Sequence, residues 1–534
     1  MPIETVYDAV REAAQRWPDN DMLCAPPMPG RDYHPEGVEI SYGTAWQAIE
    51  ALRQRYAAAG YGHGHRVALL LEQRPEFFFH YLALNGLGCS IVPINPDYRH
   101  DEMLYQMSHS EADLAVVLET RVADLQRVGA ERDTPLPVVA LEALPAPARR
   151  GDGFTPGSDS ECGLLYTSGT TGRPKGCILS NGYYLNAGAW YRDVGGRAAL
   201  RQGDRLLNPL PLFHMNAQAV AATAMFLLGG CLISPDRFHP SRWWQDVAAT
   251  RATVIHYLGV VPPLLMNQPQ VPEERQHAVR FGMGAGVEPE LHGPFEARFG
   301  FPLIEVWGMT ETGRIFADNH EPRRIDTRAF GRPLPGLEAR VVDDDDNDVP
   351  VGREGELLVR HTAEAPRRHF FSGYLKNEAA TEEAWRNGWF HTGDTVRQDA
   401  DGMLYFVDRK KHIIRRSGEN IAAAEIEACL RAHTDVAQVA VVAVADELRE
   451  EEVLACIVAM LGSAGDAEQA RALFDWCFAR LAYYKAPGWL LFVDALPTTG
   501  TQKIQKTQIF AADEDPRQRP DAHDFRALKK RQRG

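Results

Sequence analysis

Residues 166–176 read YTSGTTGRPKG and carry the densest chemistry in the chain. Hydroxyls from Thr167, Ser168, Thr170 and Thr171 alternate with Gly169 and Gly172, and Arg173 and Lys175 add positive charge. Glycines let a loop take positive φ and bring backbone N–H groups close to a ligand. Hydroxyls add donors and Lys175 a compact cation, an inventory that suits a polyphosphate. A polar surface turn uses the same residue types, so the loop by itself leaves both readings open. It is not a Walker loop, which needs G-x-x-x-x-G-K-[ST]. Lys175 lies three residues after Gly172 and is followed by Gly176, so no hydroxyl is placed to hold magnesium.

A second chemical residue is Glu311, in Trp307-Gly308-Met309-Thr310-Glu311. A carboxylate just beyond a tight glycine turn at a strand's end can hold magnesium beside a triphosphate. Thr310 can donate to a phosphate. Asp394, in Trp389-Phe390-His391-Thr392-Gly393-Asp394, can accept two hydrogen bonds from a diol. Lys503 stands in a Gly/Thr-rich stretch where a lone lysine is ordinarily solvated.

These residues need a frame. Apolar runs at 66–71, 90–94 and 114–118 read as buried strands. They alternate with helical patterns at 75–87 and 101–110, which implies parallel βαβ units covered on both faces. The 166–176 loop follows a short strand at 163–166 and precedes a helix around 181–191, the context a phosphate loop wants. A second series runs through 254–258, 279–283 and 302–306. Gly284-Ala285-Gly286 follows its middle strand, and Trp307 follows its last. Residues 219–233 read as a buried helix running into a strand, too short for a membrane span. From about residue 330 the texture becomes that of a small, mostly antiparallel barrel or sheet. The acid run 343–348 lacks EF-hand spacing and reads as a hairpin turn. Beyond Asp408 a compact α+β module is expected, with helices at 424–432 and 467–481 and strands at 436–444 and 453–460.

The totals narrow the function classes. With 534 residues, 45% hydrophobic and 24% charged, the chain has the composition of a globular protein of several domains. A net charge of −15 argues against general affinity for nucleic acid or anionic membranes. Eight cysteines form no CxxC pair, and no metal spacing is visible. Free thiols and the lack of an apolar leader suggest a reduced, cytoplasmic setting with no membrane span. The basic end 526–533, RALKKRQR, reads as a frayed, solvated terminus.

Taken in order along the chain, the four motifs resemble those of the adenylate-forming superfamily: acyl-CoA synthetases, adenylation domains of peptide synthetases, and luciferases. The resemblance covers roughly residues 40–510 and is nearest in feel to carnitine/crotonobetaine-type carboxylate–CoA ligases. It implies an α/β fold: a large N-terminal domain, 1–408, of two layered βαβαβ-type subdomains plus a small β-barrel, and a small mobile α+β domain, 412–534, joined by a hinge at 409–411 centred on Lys411. It implies ATP contacts from the 166–176 loop, from Gly284, Ala285 and Gly286, and from Trp307, Gly308, Asp394 and Arg409. Trp307 stands where the family usually has Tyr, so stacking survives but the phenol hydroxyl does not. Glu311 would hold Mg2+, Thr310 a phosphate, and Lys503 the charge that builds at the α-phosphate. Thr501-Gln502 replaces the family's usual Ser-Gly before that lysine. His214 and Met309 would line the acyl pocket, with Trp307 and Arg314 helping to shape it. Ser417, Gly418 and Glu419 would face CoA.

The activity so implied joins a small carboxylic acid to CoA through an acyl-adenylate, releasing AMP and pyrophosphate. Two other readings stay open at this stage: an adenylating enzyme that loads a carrier-protein thiol or an amine, and a catalytically silent nucleotide-binding protein. The sequence permits a homo-oligomer.

Overall fold

The computed structural model describes residues 2–143, 145–148, 151, 153–167, 173–409, 413–460, 465–497, 504, 506–511 and 514–531. Its contacts define two compact units. Residues 1–96, 107–165 and 176–408 form the first, and 97–106, 166–175 and 409–534 the second. Among the described residues, no helix is long and apolar enough to cross a membrane.

A seven-stranded sheet runs, in spatial order, through Gly373–Tyr374, Lys175–Ser180, Glu161–Thr167, Ser90–Pro93, Arg66–Leu70, Leu114–Val117 and Val138–Ala140. From Glu161–Thr167 to Val138–Ala140 its strands are parallel, with Val67 opposite both Ile91 and Leu114. The runs SIVP and LAVV are buried at every position, as strands covered on both faces must be. The covering helix Pro75–Asn85 begins with proline at its first turn and is buried on nearly all sides.

An eight-stranded sheet runs through Ile315–Ala317, Leu303–Gly308, Phe281–Ala285, Val254–Leu258, Arg205–Leu207, Cys231–Ile233, Asp21–Ala25 and Val38–Ser41. It is parallel within and closed by antiparallel edges. Helix Asn181–Asp193 starts at Ser180, whose side chain accepts from the Tyr183 N–H. It packs against residues 216–228 so closely that a Cβ added to Gly188 would sit 2.6 Å from Thr223 Cγ2. The 219–233 stretch is helix into strand, as expected. Its first residues, 219–222, end a π-helical turn, Asn216–Ala222, however, which apolarity alone does not predict.

The small antiparallel sheet expected after residue 330 has five strands, ordered Ala329–Gly331, Leu404–Arg409, Phe390–Gln398, Glu354–Arg360, Glu338–Val342. The acid run is its hairpin turn. Asp343 Oδ1 accepts from the N–H groups of Asp345 and Asn347 at 3.0 and 2.9 Å.

The second unit has its own core of Ile414, Ile426, Leu430, Val441, Leu473 and Phe474. Strands Val436–Asp446 and Glu450–Ala459 pair antiparallel, with helices Ala423–Arg431 and Ala467–Arg480 alongside. Buried Lys485 bridges Glu102 and Glu425 at 2.7 and 2.8 Å within this unit. One expectation holds only in part: within 526–531, Ala527, Leu528, Lys530 and Arg531 are exposed, but the stretch is pinned at Lys529 and just before it. His523–Asp524 pairs with Trp489–Leu490, Phe525 stacks on Phe474 with ring centroids 5.0 Å apart, and Lys529 is 3% exposed. The basic composition of the tail concealed two residues, Phe525 and Lys529, that find an apolar surface and a buried carboxylate.

Candidate active site

In the first unit, strand Leu303–Gly308 delivers the Trp307 motif. Its parallel neighbour Phe281–Ala285 pairs Gly284 with Glu305, so Gly284-Ala285-Gly286 leaves the sheet beside that motif. Both are carboxyl ends of parallel strands, where open α/β sheets place their ligands. Glu305, which sequence reasoning missed, holds the two together. Its carboxylate accepts from the Gly286 N–H, from the Val287 N–H at 3.4 Å and from Tyr257 Oη at 3.2 Å. Burial pushes this carboxyl up to about 7 against the pull of those backbone donors. The available signal was an acid inside an otherwise apolar strand, LIEVW.

Trp307 does more than present a ring. Its indole Nε1–H donates to Asp394 Oδ2 at 2.8 Å, with both residues buried. The ring lies beside Phe316 and Phe330, centroids 5.4 and 6.1 Å away. The polar contact expected to vanish with the missing phenol is replaced by an indole donor aimed at the carboxylate. Asp394 sits in strand Phe390–Gln398, where Thr392 Oγ1 donates to the Leu357 carbonyl and accepts from the Asp394 N–H. The neighbouring Gly393 N–H donates to Glu356 at 3.0 Å.

Glu311 is 6% exposed. Tyr374 Oη donates to its Oε1 at 2.8 Å, and burial beside this carboxylate drives the phenol's pKa well up. Tyr374 is paired across from Cys177, two residues beyond Lys175. The acid is thereby tied to the strand that leaves the glycine-rich loop. On the other side, Tyr183 Oη donates to the Thr310 carbonyl at 2.7 Å. Thr310 and Glu311 are thus clamped between helix Asn181–Asp193 and strand Gly373–Tyr374. Among the described residues, no cluster of three or more His, Cys, Asp or Glu side chains could hold a metal unaided. Magnesium beside a nucleotide takes one or two carboxylates plus phosphate oxygens and water, and a single oriented Glu311 fits that donor set.

His214 precedes the π-helical turn and packs on Phe213 at 4.5 Å between ring centroids. Met309 is partly buried against the main core. Within the turn, Asn216 Oδ1 meets His256 Nδ1 at 2.9 Å, and His256 Nε2 meets Tyr191 Oη at 3.1 Å. Burial pushes His256 down to about 3, so the ring is neutral. Gln218 is held by Tyr184 Oη at 3.0 Å and by the Leu212 carbonyl. Arg314 lies against Asn186 and His369 at 3.3 and 3.4 Å, and burial, with Arg368 nearby, lowers its pKa to about 10.

In the second unit, the exit of the glycine-rich loop is braced from Tyr105. Its hydroxyl donates to the Pro174 carbonyl at 2.8 Å, and the Arg173 guanidinium lies 5.1 Å from its ring centroid. Thr167 ends the strand that enters the loop. Ser417 and Gly418 form the two-residue turn of a hairpin in which Arg416 faces Glu419. Their φ values are 52° and 86°. Two positive φ values in succession are what a type I′ turn demands, and Gly418 meets that demand without a Cβ. Ser168, Gly169, Thr170, Thr171, Gly172, Lys411 and Lys503 lie outside the described residues, as does the side chain of Arg409.

Fold and site together define a class, and sequence comparison agrees. The AMP-binding enzyme family profile matches residues 10–375, and that of the AMP-binding enzyme C-terminal domain matches 425–503. The chain belongs to the AMP-binding enzyme family, within the adenylate-forming superfamily. Among its relatives, the crotonobetaine/carnitine–CoA ligase of Citrobacter koseri is 32% identical over 89% of this chain and 94% of its own. The sulfoacetate–CoA ligase of Cupriavidus necator is 32% identical over 95% and 97%. The fold matches that of o-succinylbenzoate CoA synthetase from Bacillus subtilis, with a TM-score of 0.80, 24% identity and coverage of 94% and 98%. It also matches the amide bond synthetase of Marinactinospora thermotolerans, with a TM-score of 0.78, 24% identity and coverage of 95% and 99%.

Proposed function

We propose that the protein is an ATP-dependent carboxylate–CoA ligase that forms an acyl-adenylate and then an acyl-CoA thioester, releasing pyrophosphate and AMP. The observation that carries this reading is the convergence of three distant stretches in the first unit. Glu311 is held by Tyr374, Trp307 is bonded to Asp394, and Gly286 is held by Glu305. Relatives named as CoA ligases across nearly the whole chain favour CoA over a carrier-protein thiol or an amine as acceptor.

In this reading the adenine lies between Trp307 and the Gly284–Gly286 segment, and Asp394 and Arg409 take the ribose hydroxyls. Thr167, the 168–172 loop and Lys175 hold the β- and γ-phosphates and steer the leaving pyrophosphate. Magnesium, held by Glu311 with the phosphates, would neutralise their charge when bound. Thr310 donates to a phosphate. The substrate carboxylate attacks the α-phosphate, and Lys503 stabilises the charge that develops there. His214 and Met309 line the acyl side. The 412–534 domain then turns about Lys411, bringing Ser417, Gly418 and Glu419 to the pantetheine thiol, which attacks the acyl carbon as AMP leaves. A cytoplasmic setting, where CoA and ATP are at hand, belongs to the same reading.

The decisive experiment is ATP–pyrophosphate exchange over a panel of carboxylic acids, with CoA consumption and AMP release measured on the hits. ADP as product, or AMP release indifferent to CoA, would overturn the reading. Lys503→Ala should abolish exchange while a supplied acyl-adenylate still reacts with CoA. Loss of both half-reactions would remove Lys503 from its assigned step.

A further inference from the structure

The chain end beyond the C-terminal family match, residues 504–534, has no part in the chemistry above. Its described portion is nevertheless built into the second unit. Glu452, wholly buried, receives Arg416 Nε on Oε2 at 2.7 Å and Lys529 Nζ on Oε1. The Val453 N–H also donates to that Oε1 at 2.8 Å. Two basic side chains thus share one carboxylate out of contact with water, and burial, with Arg416 close by, lowers the Lys529 amine to about 7 despite the pull of Glu452. Such a site is costly to desolvate and is poor evidence for stability; its known use is to fix register.

What it fixes here is specific. Arg416 is the last residue before the Ser417-Gly418 turn, and Glu419, the first after it, is its partner across the hairpin. Because Lys529 occupies Oε1, Arg416 is confined to Oε2 through Nε, and its Nη2 is buried with no hydrogen-bond partner among the described residues. Without Lys529 the guanidinium would be free to turn and engage both oxygens in a bidentate pair, which would drag the base of the turn with it. From the other flank, the Ser417 N–H donates to the Arg449 carbonyl at 3.1 Å, so the turn is held at both ends of one strand pair. The tail is itself anchored away from this pair. Arg526 forms ion pairs with Asp446 at 3.0 Å and Asp524 at 2.9 Å, and its guanidinium lies over Trp489 at 4.6 Å.

We infer that Lys529, delivered by the C-terminal tail, is a positioning residue for the thioester-forming step: by sharing Glu452 with Arg416 it sets the hairpin that presents Ser417, Gly418 and Glu419 to the thiol co-substrate. The inference rests on the ligase reading for the identity of that co-substrate.

The test uses the full-length enzyme with an acid found by exchange. Lys529→Met leaves Arg416 and Glu452 as a one-to-one pair, and Lys529→Gln keeps a donor to Glu452 without the charge. Both variants should keep ATP–pyrophosphate exchange within about twofold of the parent. Thioester formation from a supplied acyl-adenylate should fall about tenfold, chiefly as a raised KM for CoA. Lys529→Arg should recover most of that loss. A merely structural role would lower both half-reactions together, so parallel loss overturns the inference, as does no loss in either, or no recovery with arginine. If the parent enzyme consumes no CoA with any acid, it is the ligase reading that has failed.

Discussion

Trp307 shows how a single departure from a family habit can be chemically complete. An indole has no hydroxyl, yet its N–H reaches Asp394 at 2.8 Å and restores a polar contact to the motif. A hydrogen bond to a charged group contributes about 1.5–3 kcal/mol. Trp307→Phe, which keeps an aromatic face but leaves a buried carboxylate short of a donor, should therefore raise the KM for ATP in pyrophosphate exchange by about 10- to 100-fold. An unchanged KM would mean that the bond does not orient Asp394 for nucleotide. The motif residues Trp307, Glu311 and Asp394 were singled out by resemblance to the family's motifs, since each alone reads as an ordinary strand-end or turn residue. Their partners were not. Tyr374 lies 63 residues from Glu311, and Asp394 lies 87 from Trp307. No local spacing encodes contacts made by the crossing of sheets. Glu305 was hidden for a different reason: a lone acid in an apolar strand signals something, but only the fold shows which backbone N–H groups its carboxylate meets.

At the level of elements, the alternation of strand and helix was readable because doubly covered strands write themselves as unbroken apolar runs. The π-helical turn Asn216–Ala222 was not, since its residues are ordinary helix formers. Helix Asn181–Asp193 packs on this turn and on the α-helical residues after it, where Gly188 faces Thr223. Gly188→Ala would place a methyl group 2.6–2.8 Å from Thr223 side-chain and backbone atoms. Overpacking of this kind costs typically about 1–3 kcal/mol. A lowered thermal midpoint, accompanied by altered acid preference in the exchange assay, is the expected result. A variant as stable as the parent would show that the two helices can part freely.

For the molecule as a whole, pH should act through its buried imidazoles. Burial pushes His80 down to about 4 and His256 to about 3. Both rings therefore stay neutral in the folded chain while the unfolded chain takes up protons near the ordinary histidine value. Through these two rings the unfolded state binds more protons in this window, so their contribution rises with pH there and is lost as pH falls from about 6.5 toward 4, while Glu305, raised to about 7, opposes them as a single group. Urea midpoints at pH 7 and pH 5 should differ in that direction, and the difference should shrink in His256→Asn. The change of texture near Asp408 marks the longest segment of the second unit, but nothing in the sequence marked 97–106 and 166–175 as belonging to it, nor the built-in tail. Its charge pattern resembled a solvated end, and only the burial of Lys529 and Phe525 shows otherwise.

The bond between Trp307 and Asp394 also has an optical consequence. A tryptophan whose N–H touches a carboxylate emits according to the field of that charge, and a nucleotide that engages Asp394 must alter the field. Binding should thus be visible in the protein's own fluorescence, with no dye and no turnover. Trp307→Phe, which keeps the other nine of the ten tryptophans, is the blank against which that signal is read.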